Sequence, residues 1–180
     1  LTIILLNSCN TNSNLYKSTI NVNNALCEDS LNIVNSKGII ESVEIYNAHQ
    51  DGLDIDFSDI NINNIKIDSS GNDCLDFSYG NYFIKKAILN KCNDKGISIG
   101  EKSKLILDKA IIQDTNIGIS VKDSSIFDAY YADLKNVNIC VEAKNKKQEF
   151  EGGLATIEEI KCPTLFSEDT KSIINIRRRK

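Results

Sequence analysis

The sequence predicts an all-β fold, a single-stranded right-handed parallel β-helix (solenoid) with 22-residue coils. One short phrase, a small residue followed by an apolar, a polar and an apolar residue, starts at Ser30, Gly52, Cys74, Gly96, Gly118 and Cys140. Each start lies 22 residues after the one before, and a fixed period of this length is typical of repeat proteins. The segments between the phrases are short apolar runs without a helical period. A coil without a crossover helix buries its strands by stacking on the next coil, and twisted strands favour the right-handed crossing.

Each phrase alternates in polarity, which is the period of a strand with one buried face. Its apolar positions are expected to stack along the axis into inward rows, formed by Leu31, Ile33, Leu53, Ile55, Leu75, Phe77, Ile97, Ile99, Ile119, Val121, Val141 and Ala143. Each buried Leu, Ile or Phe side chain contributes about 1.5 to 3 kcal/mol to stability. These rows predict the core of the solenoid.

A polar column lies two residues before the small residue of each phrase, at Gln50, Asn72, Asp94, Asn116 and Asn138. Asn and Asp tolerate the left-handed backbone conformation, and stacked amide side chains can hydrogen-bond along the axis. The column therefore predicts a turn with an asparagine ladder.

We interpret residues 1–180 as one β-helix domain with regular coils over residues 26–143. After Ala143 a polar, lysine-rich stretch interrupts the repeat, and the only proline, Pro163, follows it. Residues 144–180 are expected to form an irregular last coil and a C-terminal cap or tail. The apolar opening, residues 1–6, is interpreted as a strand of the first coil.

Charge and hydropathy indicate which classes of partner the chain can have. A net charge of −4 does not suggest a nucleic-acid-binding protein. Residues 1–6 are far fewer than the about 20 apolar residues of a membrane-spanning helix, so no transmembrane segment is predicted. Because the sequence contains no methionine, we expect a part of a longer or processed chain, in which further domains could be partners.

The chain has six cysteines, and their spacing limits the disulfides that can form. Cys74 and Cys140 share a column but lie three coils apart, about 14 Å, which is beyond disulfide reach. Cys140 and Cys162 are one coil apart, so a bridge between them is geometrically allowed. No Cys-x-x-Cys or Cys/His cluster predicts a zinc site. We expect most of the thiols to pack as small buried hydrophobic groups.

The polar residues of the phrases form an outward row: Asn32, Asp54, Asp76, Ser98, Ser120 and Glu142. Asp54 and Asp76 should be neighbours on adjacent coils, with Asp51, Asp56 and Asp73 near them. Like charges would then lie about 5 Å apart, which costs stability unless something offsets it.

Three interpretations of this acidic crowding remain open. Calcium could bind to Asp54, Asp56 and Asp76 through oxygen ligands. A carboxylate pair with one raised pKa could serve acid–base chemistry. Alternatively, solvent and the nearby Lys95 and Lys122 could screen an ordinary solvated acidic face.

The sign of the charge changes along the same face. Asp54 and Asp76 lie at one end, and Ser98 and Lys122 follow on the next coils. These four residues are the candidates for binding a substrate, and an acidic polysaccharide is the candidate partner.

The solenoid as a whole resembles the right-handed parallel β-helix superfamily of pectate lyases, polygalacturonases and related surface proteins, over roughly residues 26–143. Three successive coils are similar to the polygalacturonase-type glycoside hydrolase signature, which has Asn-Thr-Asp-Gly, then Asn-Asp-Asp-Cys, then Gly-His-Gly with a Ser-Ile-Gly run. The matching stretches are 49–52 (His-Gln-Asp-Gly), 71–74 (Gly-Asn-Asp-Cys) and 94–100 (Asp-Lys-Gly-Ile-Ser-Ile-Gly).

The resemblance implies catalytic roles for three residues. Asp51 and Asp73 match the family aspartates that activate water, and Lys95 stands where the family has histidine. Asn72 stands at the position of the general acid, and an amide cannot donate a proton to a leaving group. Small residues and inward isoleucines are also what β-helix packing itself requires, so the match fits shared coil geometry as well as shared chemistry.

A looser similarity, around residues 94–103 and 146–150, is to β-helix modules of bacterial surface and spore-coat-kinase-like proteins, which have no assigned chemistry. Two hypotheses follow. The first is a non-catalytic β-helix scaffold or glycan-binding module of a secreted or cell-envelope bacterial protein. The alternative is an enzyme acting on acidic polysaccharide, either a pectate lyase-like lyase or a divergent glycoside hydrolase. The strict 22-residue step leaves no room for the long loops that flank such enzyme sites.

Overall fold

The computed structural model describes residues 3–5 and 15–179. These residues contain no helix, and their strands pair in parallel. The strands are β1 (Ile3–Leu5), β2 (Leu15–Asn23), β3 (Asp29–Val34), β4 (Lys37–Ala48), β5 (Asp51–Asp56), β6 (Asp59–Ser70), β7 (Leu75–Ser78), β8 (Asn81–Cys92), β9 (Lys95–Gly100), β10 (Lys104–Lys122), β11 (Ile126–Lys144), β12 (Leu154–Lys161), β13 (Leu165–Glu168) and β14 (Ile173–Arg179). β1 agrees with the first-coil strand expected over residues 1–6, of which Leu1, Thr2 and Leu6 lie outside the described residues.

The chain winds through about seven turns, and each turn contributes strands to a front sheet and to a longer back sheet. The front sheet contains β3, β5, β7, β9, residues 117–122 of β10, residues 139–144 of β11, and β13. The back sheet contains β1, β2, β4, β6, β8, the first parts of β10 and β11, β12 and β14. β10 and β11 run through both sheets, and the apolar core lies between them.

The register of the front sheet is the one that the 22-residue repeat predicts. Leu53 pairs with Leu31 and Leu75, and Ile97 pairs with Leu75 and Ile119. Every residue of the predicted inward rows has 0% of its surface exposed. The predicted fold, a parallel β-helix with 22-residue coils, is confirmed.

The small residue that opens each phrase has a packing cause. A Cβ atom built on Gly52, Gly96 or Gly118 would lie 2.6 to 2.7 Å from a carbonyl oxygen of the next coil. Such a distance is too short for a side chain. Glycine at these positions therefore lets successive backbones approach at the corner where the front sheet begins.

The predicted left-handed column is wrong by two or three residues. The positive-φ residues at this corner are Asn47, Ser69, Lys91, Asp114 and Asn136, not the column that starts at Gln50. The chain turns at the end of each back-sheet strand, immediately before a buried residue such as Ala48, Ser70 or Cys92. An amide ladder does form at one step, where Asn138 Nδ2 donates to Asn116 Oδ1 at 3.0 Å.

The expected burial holds for Cys74, Cys92, Cys140 and Cys162, but the expectation that they are thiols is wrong. Cys140 and Cys162 form the disulfide that spacing allowed, with Cα atoms 6.1 Å apart. Cys74 and Cys92 form a second one, with Cα atoms 5.3 Å apart. Spacing arguments missed this bridge because they compare residues in one column. Cys92 stacks on Ser70, which stands four residues before Cys74 at the same corner.

The segment 145–153 leaves the regular path after β11 and lies against the turns of earlier coils. Asp123 Oδ1 accepts hydrogen bonds from the backbone N–H groups of Lys146 and Lys147 at 2.7 and 2.8 Å. Asn145 Nδ2 donates to the carbonyl oxygen of Phe150 at 2.6 Å and closes the segment on itself. β12, β13 and β14 then pair onto the solenoid again. Nowhere in the described chain is there a helix long and apolar enough to cross a bilayer.

Candidate functional site

The candidate residues lie on or beside the outer surface of the front sheet, which we call the front face. Asp54 pairs in register with Asp76, Asp76 with Ser98, and Ser98 with Ser120. Stacked residues in a parallel sheet are separated by about 4.8 Å. The front face therefore presents straight rows of polar groups along the solenoid axis.

The acidic end of the front face includes three stacked coils. Asp54 and Asp76 are half-buried, and Asn32 Nδ2 donates to Asp54 Oδ2 at 3.1 Å and to Asp29 Oδ2 at 3.0 Å. Burial, together with the negative charges of its acidic neighbours, raises the pKa of Asp54 to about 8. Burial and the charge of Asp76 likewise raise the pKa of Asp56. The acidic end thus holds at least one proton near neutral pH.

Asp51 and Asp73, the predicted water-activating pair, hold the backbone of the next coil. Asp51 Oδ1 accepts hydrogen bonds from the backbone N–H of Asp73 at 2.8 Å and from Asn72 Nδ2 at 2.7 Å. Asp73 Oδ1 accepts one from the backbone N–H of Lys95 at 3.0 Å. Asp73 is only 3% exposed, and burial raises its pKa to about 6 against the opposing charge of Lys95. Both carboxylates are therefore already engaged within the fold.

Lys95 is an ion-pair partner in this arrangement. Its Nζ lies 3.3 Å from Asp73 Oδ1 and also contacts Asp94 Oδ2. Burial lowers the pKa of Lys95, but the hydrogen bond to Asp94 and the charge of Asp73 outweigh it, so that the pKa is raised. A lysine with a raised pKa stays an ammonium group at neutral pH and is a poor general base.

The centre of the front face has outward side chains that are nevertheless buried. Ser98 is 0% exposed and Lys122 is 6% exposed. The Lys122 chain lies across Gly100, with Nζ 4.0 Å from the point where a Cβ of Gly100 would be. Within residues 15–179, Ser98 Oγ has no hydrogen-bond partner. Lys122 forms no ion pair with a described residue, and its charge helps to lower the pKa of Glu101. The buried Ser98 hydroxyl without a partner costs about 1–3 kcal/mol.

The other charged groups around this centre are paired. Glu142 accepts a hydrogen bond from Ser120 Oγ at 2.9 Å and forms an ion pair with Lys144 at 2.9 Å. Glu101 accepts a hydrogen bond from Ser78 Oγ at 2.6 Å and pairs with Lys147. Burial raises the pKa of Glu101, but these bonds outweigh it and lower the pKa.

Two aromatic residues at the edge of the front face were missed by the sequence analysis. Phe57 and Tyr79 stack with ring centroids 4.6 Å apart and planes within 4°. They are 57% and 41% exposed. Each follows an outward residue of the front sheet, Asp56 or Ser78, so extending the 22-residue frame by one position would have revealed the pair.

The calcium prediction for Asp54, Asp56 and Asp76 gains no support from their geometry. Among residues 3–5 and 15–179, no three His, Cys, Asp or Glu side chains are grouped closely enough to hold one metal ion. The calcium site therefore stays a prediction from the sequence.

Comparisons with known proteins give no relative from which a role could be transferred. No protein-family model matches the chain, and no curated protein or solved structure is significantly similar to it.

Proposed function

We propose that the protein is a non-catalytic β-helix module of a secreted or cell-envelope bacterial protein and that it binds glycans on its front face. The observation that carries the proposal is the straight polar rows of that face. Carboxylate, hydroxyl and ammonium groups repeat there with the coil spacing of about 4.8 Å. This spacing is comparable to the length of one sugar residue in an extended polysaccharide, so successive coils can contact successive sugars.

The aromatic pair supports a carbohydrate ligand. Phe57 and Tyr79 present an exposed apolar strip beside the polar rows. Sugar rings combine hydroxyl groups with apolar C–H faces, and aromatic side chains contribute large apolar contact area at low entropic cost. The front face offers both kinds of contact in adjacent rows.

The state of the predicted catalytic residues favours binding over catalysis. Asp73 is buried and hydrogen-bonded to Lys95, and Asp51 accepts two hydrogen bonds. Asn72 stands where the resemblance implies a proton donor. A carboxylate engaged in this way has little access to an attacking water.

The proposed location rests on disulfides, among them Cys74–Cys92 and Cys140–Cys162. Structural disulfides persist in oxidising compartments and are rare in the cytosol. Membership of the pectate lyase-like superfamily belongs to the same proposal, and its support is the coil-by-coil match of the signature together with the solenoid fold.

A glycan array tests the proposal with one variant and one matched control. Tyr79→Ser removes part of the aromatic strip, and we expect it to weaken binding about tenfold, equivalent to about 1.4 kcal/mol. Tyr130→Ser removes a more exposed tyrosine, 66% against 41% for Tyr79, from the back sheet and should leave binding unchanged. If no glycan binds, the glycan-binding proposal is wrong and the solenoid is a scaffold only.

A polysaccharide-acting enzyme is the second candidate function, and one observation favours it. Burial raises the pKa of Asp54 to about 8. A carboxyl group that remains protonated at neutral pH is what a general acid requires. Asp54 would then supply the proton that Asn72 cannot, and a lyase or hydrolase assay that depends on Asp54 would support this candidate.

A further inference from the structure

We propose that the front face selects zwitterionic glycans, in which an ammonium group and a carboxylate or phosphate group lie on neighbouring or next-neighbouring sugars. The ammonium group binds at the acidic end, around Asp54 and Asp76, and the anionic group binds to Lys122. The inference rests on the proposed glycan-binding function and names its ligand class.

The acidic end has the properties of a cation site without metal-ligand geometry. Asp54 and Asp76 stack on each other in register, and Asp29 stacks on Asp51. No three acidic side chains in the described chain converge on one point. A row of separated carboxylates suits a bulky ammonium group, which makes several charge-assisted hydrogen bonds in different directions.

Lys122 supplies the opposite charge. Two other lysines of the front face, Lys95 and Lys144, form ion pairs with Asp73 and Glu142. Lys122 is 6% exposed and forms no ion pair with a described residue; its charge acts on Glu101, whose own ion-pair partner is Lys147. The Lys122 ammonium is therefore available to an anionic ligand group, which it can bind through charge-assisted hydrogen bonds.

Ser98 gives an independent indication of a ligand at the same place. Its side chain points outward between Asp76 and Ser120, and its Oγ is buried without a partner. A hydroxyl at this point can donate to an anionic group held by Lys122, or accept from a sugar hydroxyl. The unpaired serine therefore lies between the two charged ends of the proposed site.

The coil spacing sets the separation of the two charges. The Lys122 ammonium lies at the level of Gly100, one coil from Asp76 and two coils from Asp54. One and two coil steps correspond to about 5 and 10 Å along the axis, and the row of Gly100 lies two residues, about 7 Å, to the side of the row of Asp54 and Asp76, so the charges are roughly 8 and 12 Å apart. Neighbouring or next-neighbouring sugars of an extended chain carry their substituents at comparable separations, so one glycan can reach both ends.

Three tetrasaccharides test the inference by isothermal titration calorimetry. De-N-acetylated hyaluronan tetrasaccharide carries ammonium and carboxylate groups, hyaluronan tetrasaccharide carries carboxylates only, and chitotetraose, the glucosamine tetramer, carries ammonium groups only. We expect the zwitterionic probe to bind at least about tenfold more tightly than either of the others. Equal affinity for the zwitterionic probe and one single-charge probe would overturn the inference but leave the glycan-binding function intact. Absence of binding by all three probes, in the presence of another glycan ligand on the array, would overturn the inference alone.

Two variants and a matched control show which residue binds the anionic group and which binds the ammonium group of the ligand. Lys122→Gln should lower affinity for the zwitterionic probe about tenfold and leave affinity for chitotetraose unchanged. Asp54→Asn should lower affinity for the two probes that carry ammonium groups, the zwitterionic tetrasaccharide and chitotetraose, and leave affinity for hyaluronan tetrasaccharide unchanged. Lys144→Gln removes a charge from the neighbouring position of the same row, but this ammonium is paired with Glu142 and should not change the preference between probes. A Lys144→Gln effect as large as that of Lys122→Gln would show that only the net charge matters and would refute the site.

Proton release gives a readout that nonspecific charge attraction would not reproduce. Because the pKa of Asp54 is raised to about 8, an ammonium group bound among Asp29, Asp51, Asp54, Asp56 and Asp76 should displace a proton at pH 7. Titrations in two buffers of different ionisation enthalpy should show this release for the wild type and not for Asp54→Asn. Equal heats in the two buffers for the wild type would contradict an ammonium group at the acidic end.

Discussion

Asp73 and Lys95 are joined at two points, because Asp73 Oδ1 accepts hydrogen bonds from the backbone N–H of Lys95 at 3.0 Å and from its Nζ at 3.3 Å. Asp51 holds the backbone N–H of Asp73 in the same way, at 2.8 Å. These carboxylates form a ladder that ties three coils together at the corner where the front sheet begins. The signature residues therefore have a structural use that requires no catalysis.

The structural use of these carboxylates and the amide at Asn72 lead to a prediction about hydrolysis. We expect the protein to release no reducing ends from polygalacturonate, or to do so at a very low rate. Asn72 cannot donate a proton, and general acid catalysis contributes about 10²- to 10⁴-fold to a rate. A reducing-sugar assay measures the outcome, and Asp73→Asn is the control variant. A robust rate that Asp73→Asn abolishes would restore the enzyme hypothesis.

The acidic end predicts how stability depends on pH. Asp54 has a pKa of about 8 in the folded protein and one of about 3.8 in an unfolded chain, so the folded state holds its proton more tightly than the unfolded state does. Its contribution is therefore fully present below about pH 4 and is lost as the pH rises to about 8. We expect Asp54→Asn to be more stable than the wild type at pH 8, by an amount on the order of 2 kcal/mol after solvent screening, and about equal to it at pH 4.

Urea denaturation at pH 4, 6 and 8 measures this difference. Asp133→Asn is the matched control, since it removes one carboxylate from the back sheet, where Asp133 stacks on Lys161. The control should not gain stability at pH 8. If Asp54→Asn and the wild type change in parallel over the three pH values, Asp54 is not held in its protonated form.

The sequence was sufficient to predict the inward and outward rows of the front sheet, because residues one coil length apart stack on each other in a parallel β-helix. Asp54 stands on Asp76 and Leu53 on Leu75 for the same reason, a 22-residue step with a two-residue alternation. Features that follow from side-chain torsions were beyond the same reasoning. That Lys122 lies down over Gly100, or that Phe57 and Tyr79 stack, depends on the space left by neighbours and not on register.

The disulfide between Cys74 and Cys92 predicts a loss of stability on removal. The bridge closes a loop with a sequence separation of 18. Loops of this length contribute about 3 kcal/mol by restricting the unfolded chain. Cys74→Ala with Cys92→Ala should therefore lower the free energy of unfolding by about 3 kcal/mol, as measured by urea denaturation without reductant. Both sulfur atoms lie in buried positions, so part of the loss will come from packing.

A reductant separates the effect of the covalent bridge from the effect of side-chain packing. The wild type should lose stability in dithiothreitol, whereas the double variant should lose less, because only its remaining bridges can be reduced. Equal losses in the two proteins would mean that the Cys74–Cys92 bridge contributes nothing beyond packing.

The small-residue column makes the last prediction, which tests the cause of the 22-residue phrase itself. A Cβ on Gly96 would lie 2.6 Å from the carbonyl oxygen of Gly118 and 2.7 Å from Ile112 Cγ2. Both groups are fixed, one in the backbone and one in the core, so Gly96→Ala should destabilise the protein by about 1–3 kcal/mol. Gly100→Ala is the matched control on the same strand, because its Cβ would meet only the flexible end of Lys122, at 3.6 Å from Cε. Thermal or urea denaturation should place Gly100→Ala close to the wild type. If both substitutions are tolerated equally, close backbone approach is not the reason for glycine at the start of the phrase.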